Sequence, residues 1–441
     1  MADLSVNFAG IKSPNPFWLA SAPPTNSGYQ VMKAFDEGWG GAVWKTLGVP
    51  VVNVSSRYGA VNYRDTRMAG FNNIELITDR PLVDNLKEIE EVKKYFPDHA
   101  VIASLMVESR EEWHQIIKDV ENAGSDGIEL NFGCPHGMCE RGMGSAVGQE
   151  PDVLKTIVEW VMEVAQIPVI VKLTPNITDI TVPALAAVAG GADSISLINT
   201  IKSIVGLDLD TLAPYPIVDG RGSNGGYCGP AVKPIALNML KDCAQHPDIN
   251  LPISGIGGIE TWRDAAEHIL LGASTVQICT AVMHYGFGII RELIPGLERY
   301  MDEKGWATID EMVGQALPNV GEWKTLNLKH KVIANIHADK CIGCQLCYTA
   351  CEDGAHQAIA LPTEGRVPEI IEDNCVGCNL CSLVCPVEGC ITMDKVDDGT
   401  QHVTWEERTL AGNVPTTFND ELAGGRGHFV PAPTDAFKNK K

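Results

Sequence analysis

VIASLMVESREEWHQIIKDVENAGSDGIELNF, residues 101–132, decides the fold. The apolar run Val101–Met106 has strand length, Arg110–Ala123 repeats its apolar residues at helical spacing, and Gly127–Phe132 is a second apolar run. That is one strand–helix–strand unit. Working outward, similar runs occur at Phe17–Ala20, Ala42–Leu47, Val169–Leu173, Ser194–Ile198, Pro252–Gly255 and Thr275–Cys279. Helical periodicity fills Pro151–Ala165, Ile180–Gly190, Lys233–Ala244 and Thr261–Leu271 between them. Eight strands, each followed by a helix, predict an α/β fold of the (β/α)8 TIM-barrel type; a doubly wound open sheet competes on the pattern alone. Ahead of it, residues 3–15 alternate apolar and polar around Gly10 and predict a short hairpin.

The polar residues that end these runs favour the barrel, which places reactive groups just past the carboxyl ends of its strands. They are Ser21, Lys45-Thr46, Asn131 with Gly133-Cys134, Lys172, Asn199-Thr200, Gly255–Gly258 and Cys279-Thr280. Glycines after the seventh strand let backbone N–H groups reach a phosphate, with the helix from about Thr261 adding its positive end. An ammonium inside an apolar strand is costly unless paired. For Lys45 and Lys172 the alternatives are buried ion pairs or a bound anion, and a flavin with its phosphate on the glycine loop accounts for both lysines together. The connection 201–230 contains Gly220-Arg221-Gly222-Ser223-Asn224-Gly225, which matches G-x-G-x-x-G without a prompt helix; we read it as a mobile loop over the site and expect no nicotinamide site.

Near the carboxyl end, C-x2-C-x2-C-x3-C occurs twice, as Cys341, Cys344, Cys347, Cys351 and as Cys375, Cys378, Cys381, Cys385. Two-residue spacers let three thiolates converge on one iron–sulfur cube, while the fourth is pushed toward the other cube. The expected ligand sets are therefore Cys341, Cys344, Cys347 and Cys385 for one [4Fe-4S] cluster, and Cys375, Cys378, Cys381 and Cys351 for the second. Zinc ribbons and disulfides are the alternatives. The predicted layout is a barrel over residues 1–310, a linker over 311–335, a ferredoxin-like 2[4Fe-4S] domain over 336–395 and a polar, Gly-rich tail over 396–441 that serves as an arm on a partner or is poorly ordered.

Composition narrows the setting. The 441 residues carry a net charge of −22, which repels phosphate backbones and argues against a nucleic-acid partner. No apolar run approaches the ~20 residues that span a bilayer, and Met1–Ser5 lacks a basic-then-apolar leader. The 14 cysteines suit a reducing compartment, so a cytoplasmic protein is expected.

Asn131-Phe132-Gly133-Cys134-Pro135-His136-Gly137-Met138, with Glu140–Gly144 after it, resembles the active-site loop of the dihydropyrimidine dehydrogenase family. Phe71–Leu76, Lys172–Asn176 and Ile198–Thr200 are similar to it as well. The resemblance spans nearly the whole chain, in the form of the FMN and iron–sulfur subunit of the bacterial NAD-dependent enzyme. It implies FMN contacts at Ser21, Lys45, Thr46, Lys172, Gly229, Ile256, Gly257, Gly258, Cys279 and Thr280. It implies a pyrimidine held by Asn73, Asn131, Asn199 and Thr200, with Cys134 as general acid in the reduction of uracil or thymine. An FAD- and NAD(P)H-binding iron–sulfur partner subunit is implied too, in a heterotetramer built on a dimer of this chain. Gly133 departs from the animal enzymes, which have Ser there. A dihydroorotate dehydrogenase is the alternative enzyme, and an electron-transfer adaptor the alternative outside catalysis.

Overall fold

A computed structural model describes residues 2–397, 399 and 401–411. The chain divides into two compact units, Met1–Asn319 and Val320 onward.

In the first unit, eight parallel strands close into a barrel: β1 (Phe17–Leu19), β2 (Gly41–Leu47), β3 (Ala100–Leu105), β4 (Gly127–Asn131), β5 (Val169–Lys172), β6 (Ser194–Leu197), β7 (Ile253–Ile256) and β8 (Ala273–Ile278). Each pairs with its sequence neighbours, and β8 pairs with β1 through Val276–Phe17 and Ile278–Leu19. The helices following them in order are α1 (Gly28–Glu37), α2 (Leu82–Tyr95), α3 (Arg110–Asn122), α4 (Pro151–Met162), α5 (Thr181–Gly190), α6 (Lys233–Gln245), α7 (Trp262–Leu270) and α8 (Ile290–Lys304). Every residue of β2, β3 and β4 is buried, because strands inside a ring of helices face apolar packing on both sides. α3 shows how the local sequence sets its end. Ser109 accepts from Glu112 N, Glu112 reaches back to the Ser109 N–H, and Trp113, Ile116, Ile117 and Val120 form the buried stripe.

The expected amino-terminal hairpin forms from Val6–Phe8 and Ile11–Ser13, turning through Ala9 and Gly10, both at positive φ. Its Phe8 and Ile11 pack with Trp18, Val43, Ile102 and Ile170 and close the bottom of the barrel.

At the opposite end lies a four-stranded antiparallel sheet in the order Ile201–Ser203, Gly225–Cys228, Thr66–Asn73, Tyr58–Tyr63. It is knit from the connections after β2 and β6. The connection read from sequence as a mobile loop therefore begins and ends in strands, with Gly226 opposite Asn73. Gly220 sits in a tight turn between Val218 and Arg221, and Gly225 opens a strand, so the glycine match has none of the helix that a dinucleotide turn requires. The first unit also keeps Ile309 and Met312 buried and continues to Asn319, within the span read as linker.

In the second unit, Val332–Ile336 pairs with Ile391–Lys395 and Ile359–Ala360 with Glu369–Ile370. Short helices at Leu346–Gly354 and Leu380–Val384 each begin inside a cysteine run. The two runs share one backbone device. Gly343 and Gly377 both lie at φ 70°, and the residues after the second cysteine, Gln345 and Asn379, are left-handed at φ 64° and 68°. Part of the predicted tail is ordered: Thr404 bridges Asn327, Trp405 meets Trp323 edge-on at 5.5 Å, and Trp405–Leu410 is a capped helix. The rest, from residue 412, lies outside the described residues.

The amino terminus of α7 is closed by its own side chains: Thr261 accepts from Asp264 N, and the Asp264 carboxylate accepts from Glu260 N and Thr261 N. The N–H groups of Glu260, Thr261 and Asp264 are occupied and the end of α7 already carries the Asp264 carboxylate, which opposes a phosphate at the helix end expected from sequence. Thr261→Ala is expected to lower the stability of the barrel unit by about 1 kcal/mol, read as a reduced urea midpoint.

Candidate active site

The barrel opens, at the carboxyl ends of its strands, into a cleft of about 1170 Å³, counted to include the solvent at its mouth. The sheet over the barrel supplies part of its wall through Tyr58, Phe71, Asn73, Tyr227 and Cys228. Every residue assigned from sequence to the flavin and pyrimidine, from Ser21 and Lys45 to Cys279 and Thr280, lies on this wall together with Cys134.

The amides form one chain across the ends of alternate strands, β6, β4 and β2. Asn199 Nδ2 donates to Asn131 Oδ1 at 3.0 Å, and Asn131 Nδ2 donates to Thr46 Oγ1 at 2.9 Å. Thr46 Oγ1 contacts Ser21 Oγ at 3.1 Å and Ser104 Oγ at 2.9 Å. Thr200 N donates to Asn199 Oδ1 at 2.7 Å, and Asn73 Nδ2 donates to Gly226 O at 3.2 Å, tying the sheet to the same wall. Parallel register explains the adjacency: Asn131 of β4 lies opposite Lys172 of β5. The hydrogen bonds fix which edge of each amide faces the cavity, so donors and acceptors stand ready without side-chain reordering.

Both lysines have carboxylate partners. Lys45 Nζ lies 2.5 Å from Glu75 Oε1, and Glu75 also takes Arg57 at 3.0 Å and the Tyr58 hydroxyl at 2.5 Å. Lys172 Nζ lies 3.4 Å from Glu129 Oε1. Of the two alternatives for these buried ammoniums the ion pairs are present, so the lysines by themselves do not require a bound anion. Both buried ion pairs exist, and the lysines still line the cavity. Glu75 stood in the sequence only as part of a quoted segment, and Glu129 was missed. Its signal was a charged residue inside the apolar strand Gly-Ile-Glu-Leu-Asn, the same signal that drew attention to the lysines.

Burial sets the titration of the cavity's polar groups. It pushes the Cys134 thiol up to about 11, outweighing a smaller lowering by the His136 backbone. The thiol itself donates to the His136 carbonyl at 3.5 Å. Cys228 is raised to about 11 and Cys279 is raised further, again by burial. Burial also lowers His136, whose Nε2 lies 3.1 Å from Glu75 O. Since a carbonyl can only accept, the neutral ring carries its proton on Nε2 and links the Cys134 loop to the residue that holds Lys45.

A flavin fits this cavity on three observations. Gly257 and Gly258 line it at φ 126° and 73°, and a Cβ on Gly258 would come within 2.8 Å of Lys233 N. Gln277 Oε1 is buried on the wall with no hydrogen-bond partner, open to a donor on a bound group. Lys45 and Lys172 lie on the same wall, cations suited to a ring that gains negative charge on reduction.

In the second unit, Cys341, Cys344, Cys347 and Cys385 surround one cavity of about 320 Å³, and Cys351, Cys375, Cys378 and Cys381 surround another of about 360 Å³. Each set combines three cysteines of one run with the fourth of the other. Among the described residues no group of three His, Cys, Asp or Glu side chains could hold a single metal ion, whereas thiolates spread around a cavity suit a larger inorganic cluster. Cys390 also borders the first cavity.

A parallel barrel with an amide- and glycine-lined mouth, joined in one chain to a cysteine-rich iron–sulfur module, defines a flavin-dependent oxidoreductase. Residues 3–301 match the dihydroorotate dehydrogenase family and residues 334–393 the 4Fe-4S dicluster domain. The chain is 45% identical over 396 residues, 89% of its length and 96% of the relative's, to the NAD-dependent dihydropyrimidine dehydrogenase subunit PreA of Escherichia coli (strain K12). It is 46% identical to the chloroplastic dihydropyrimidine dehydrogenase (NADP(+)) of Arabidopsis thaliana, over 71% of this chain and 77% of that one. It is 38% identical to the dihydroorotate dehydrogenase B (NAD(+)) catalytic subunit of Thermococcus kodakarensis, over 72% and 99%. The chain belongs to the dihydropyrimidine dehydrogenase family. Among the described residues no helix is long and apolar enough to cross a membrane.

Alkylation of Cys134 by iodoacetamide, followed peptide by peptide, is expected to be slow at pH 7 to 8 and to climb with a midpoint near the value of about 11 that burial imposes. A midpoint below that of a free thiol would show the site to be electropositive instead.

Proposed function

We propose that this chain reduces the 5,6 double bond of uracil or thymine, the first step of pyrimidine breakdown, as the FMN- and iron–sulfur-bearing subunit of a heteromer. FMN bound in the cavity would supply the hydride chemistry, and two [4Fe-4S] clusters would carry electrons to it from an FAD- and NAD(P)H-binding partner subunit.

The chain's own residues bind, orient and protonate. Asn73, Asn131, Asn199 and Thr200 offer alternating donors and acceptors to the alternating N–H and C=O edge of the base. Ser21, Lys45, Thr46, Lys172, Gly229, Ile256, Gly257, Gly258, Cys279 and Thr280 hold the flavin, the glycines letting backbone approach its phosphate. Cys134 donates the proton to C5 on the face opposite the hydride. Its elevated pKa keeps it a thiol at neutral pH, so it enters each cycle loaded. The same elevation makes it a weaker acid than a free cysteine, so the negative charge that builds at C5 must drive the transfer. The roof strands exclude water from the cavity while this happens.

The observation that carries the choice of substrate is the set of neutral amides, Asn73, Asn131 and Asn199, on a wall whose two lysines are each balanced by a carboxylate, Glu75 or Glu129. A neutral pyrimidine asks for no free cation. Dihydroorotate, favoured by the name of the matching family, carries a carboxylate that competes with those glutamates.

Cys134→Ala is expected to retain full flavin and iron per chain while losing 10²–10⁴-fold in uracil reduction, measured anaerobically with a chemical electron donor beside a dihydroorotate assay. Undiminished turnover by this variant would remove Cys134 from the mechanism, and a preference for dihydroorotate would overturn the substrate. Cys385→Ser and Cys351→Ser are each expected to lower bound iron by about half, with each loss affecting the cluster whose other three ligands lie in the opposite run.

A further inference from the structure

Barrel interiors are ordinarily filled by layers of Val, Ile and Leu. Beneath the cavity of this barrel one layer is polar. Glu129 of β4 is fully buried, and its Oε2 accepts from Ser196 Oγ of β6 at 2.9 Å and from Gln277 Nε2 of β8 at 3.0 Å. These strands are not neighbours, so the contacts cross the lumen. Gln277 Nε2 also reaches Ser254 Oγ of β7 at 3.3 Å, which in turn accepts from Thr275 at 2.8 Å. One carboxylate oxygen is thus held by two donors. The other, Oε1, has no hydrogen bond and faces only Lys172 Nζ, 3.4 Å away. The layer meets the cavity at Lys172 and at Gln277, and of these only Lys172 carries a charge.

A structural ion pair would be satisfied by closer contact. Here the carboxylate is anchored from behind, and the ammonium is left long on the carboxylate and open to the cavity. We propose that Glu129 is a positioning residue that acts through Lys172: it sets how much positive charge the cavity floor offers the flavin ring, and thereby the flavin's reduction potential. The inference rests on the flavin reading above. Reduction of the ring by two electrons and one proton leaves it with one negative charge, which a nearby cation stabilises and a carboxylate behind that cation tempers. Ser196 and Gln277 tune the same balance from the far side, because each hydrogen bond they give the carboxylate draws its charge away from Lys172.

The test is a spectroelectrochemical titration of the flavin in the purified holoprotein, with flavin and iron counted first. Glu129→Gln is expected to move the midpoint to more positive values, since Lys172 then offers its whole charge to the ring. Ser196→Ala lies away from the cavity wall and is expected to move the midpoint the other way, because Glu129 turns more of its charge on Lys172. In a Lys172→Met background, Glu129→Gln is expected to add no shift, because the lysine through which it acts is gone. An unmoved midpoint in Glu129→Gln with its flavin retained, or shifts of the same sign in both single variants, would overturn the proposal. If Glu129→Gln loses flavin, the sign in Ser196→Ala decides. A wild-type protein that retains no flavin would instead overturn the reading of the cavity itself.

Discussion

Closure of the barrel is the constraint on which the site depends. Eight short parallel strands each bond to two neighbours, with no free edge, and the single direction they share brings all their carboxyl ends to one face. None of the strands exceeds seven residues, so a residue at the end of each is within reach of those at the others. The amide chain from Asn199 through Asn131 to Thr46 exists because β6, β4 and β2 finish at the same level. The Phe8 and Ile11 plug at the opposite end frees the upper layers of the barrel from purely apolar packing, and it is there that charged side chains are admitted.

Those charges obey a strict accounting. A buried ammonium or carboxylate persists only with a partner, and both lysines of the cavity have one. The two pairs differ in character. Lys45 is bound closely to a glutamate shared with Arg57 and Tyr58 in the roof, whereas Lys172 stands further from a glutamate anchored inside the lumen. The first pair links barrel to roof, and the second links cavity to core.

What could be read from sequence was what depends on residues close together in the chain. Apolar runs such as Val101–Met106 became strands within a residue or two, and α3, with its cap at Ser109 and its Trp113–Val120 stripe, was legible from its own thirteen residues. The polar strand ends were legible because barrel closure, once assumed, sends them all to one place. What stayed hidden depended on distant partners. The roof pairs Asn73 with Gly226 across about 150 residues, and no local pattern announces that register. The partners of Lys45 and Lys172 were hidden for the same reason. The capped end of α7 is a different lesson: the Thr261 and Asp264 spacing was visible as a capping box, but attention to the glycines before it overrode that signal.

The roof has a consequence for how such a protein can diversify. Its four strands come from two connections that contribute no barrel strand, so either can lengthen, shorten or change its side chains while the ring of β1–β8 keeps its hydrogen bonds. Part of the cavity wall is thus a separable module, and lineages sharing this barrel can redraft that part through two ribbons of backbone while the cylinder beneath keeps its own residues.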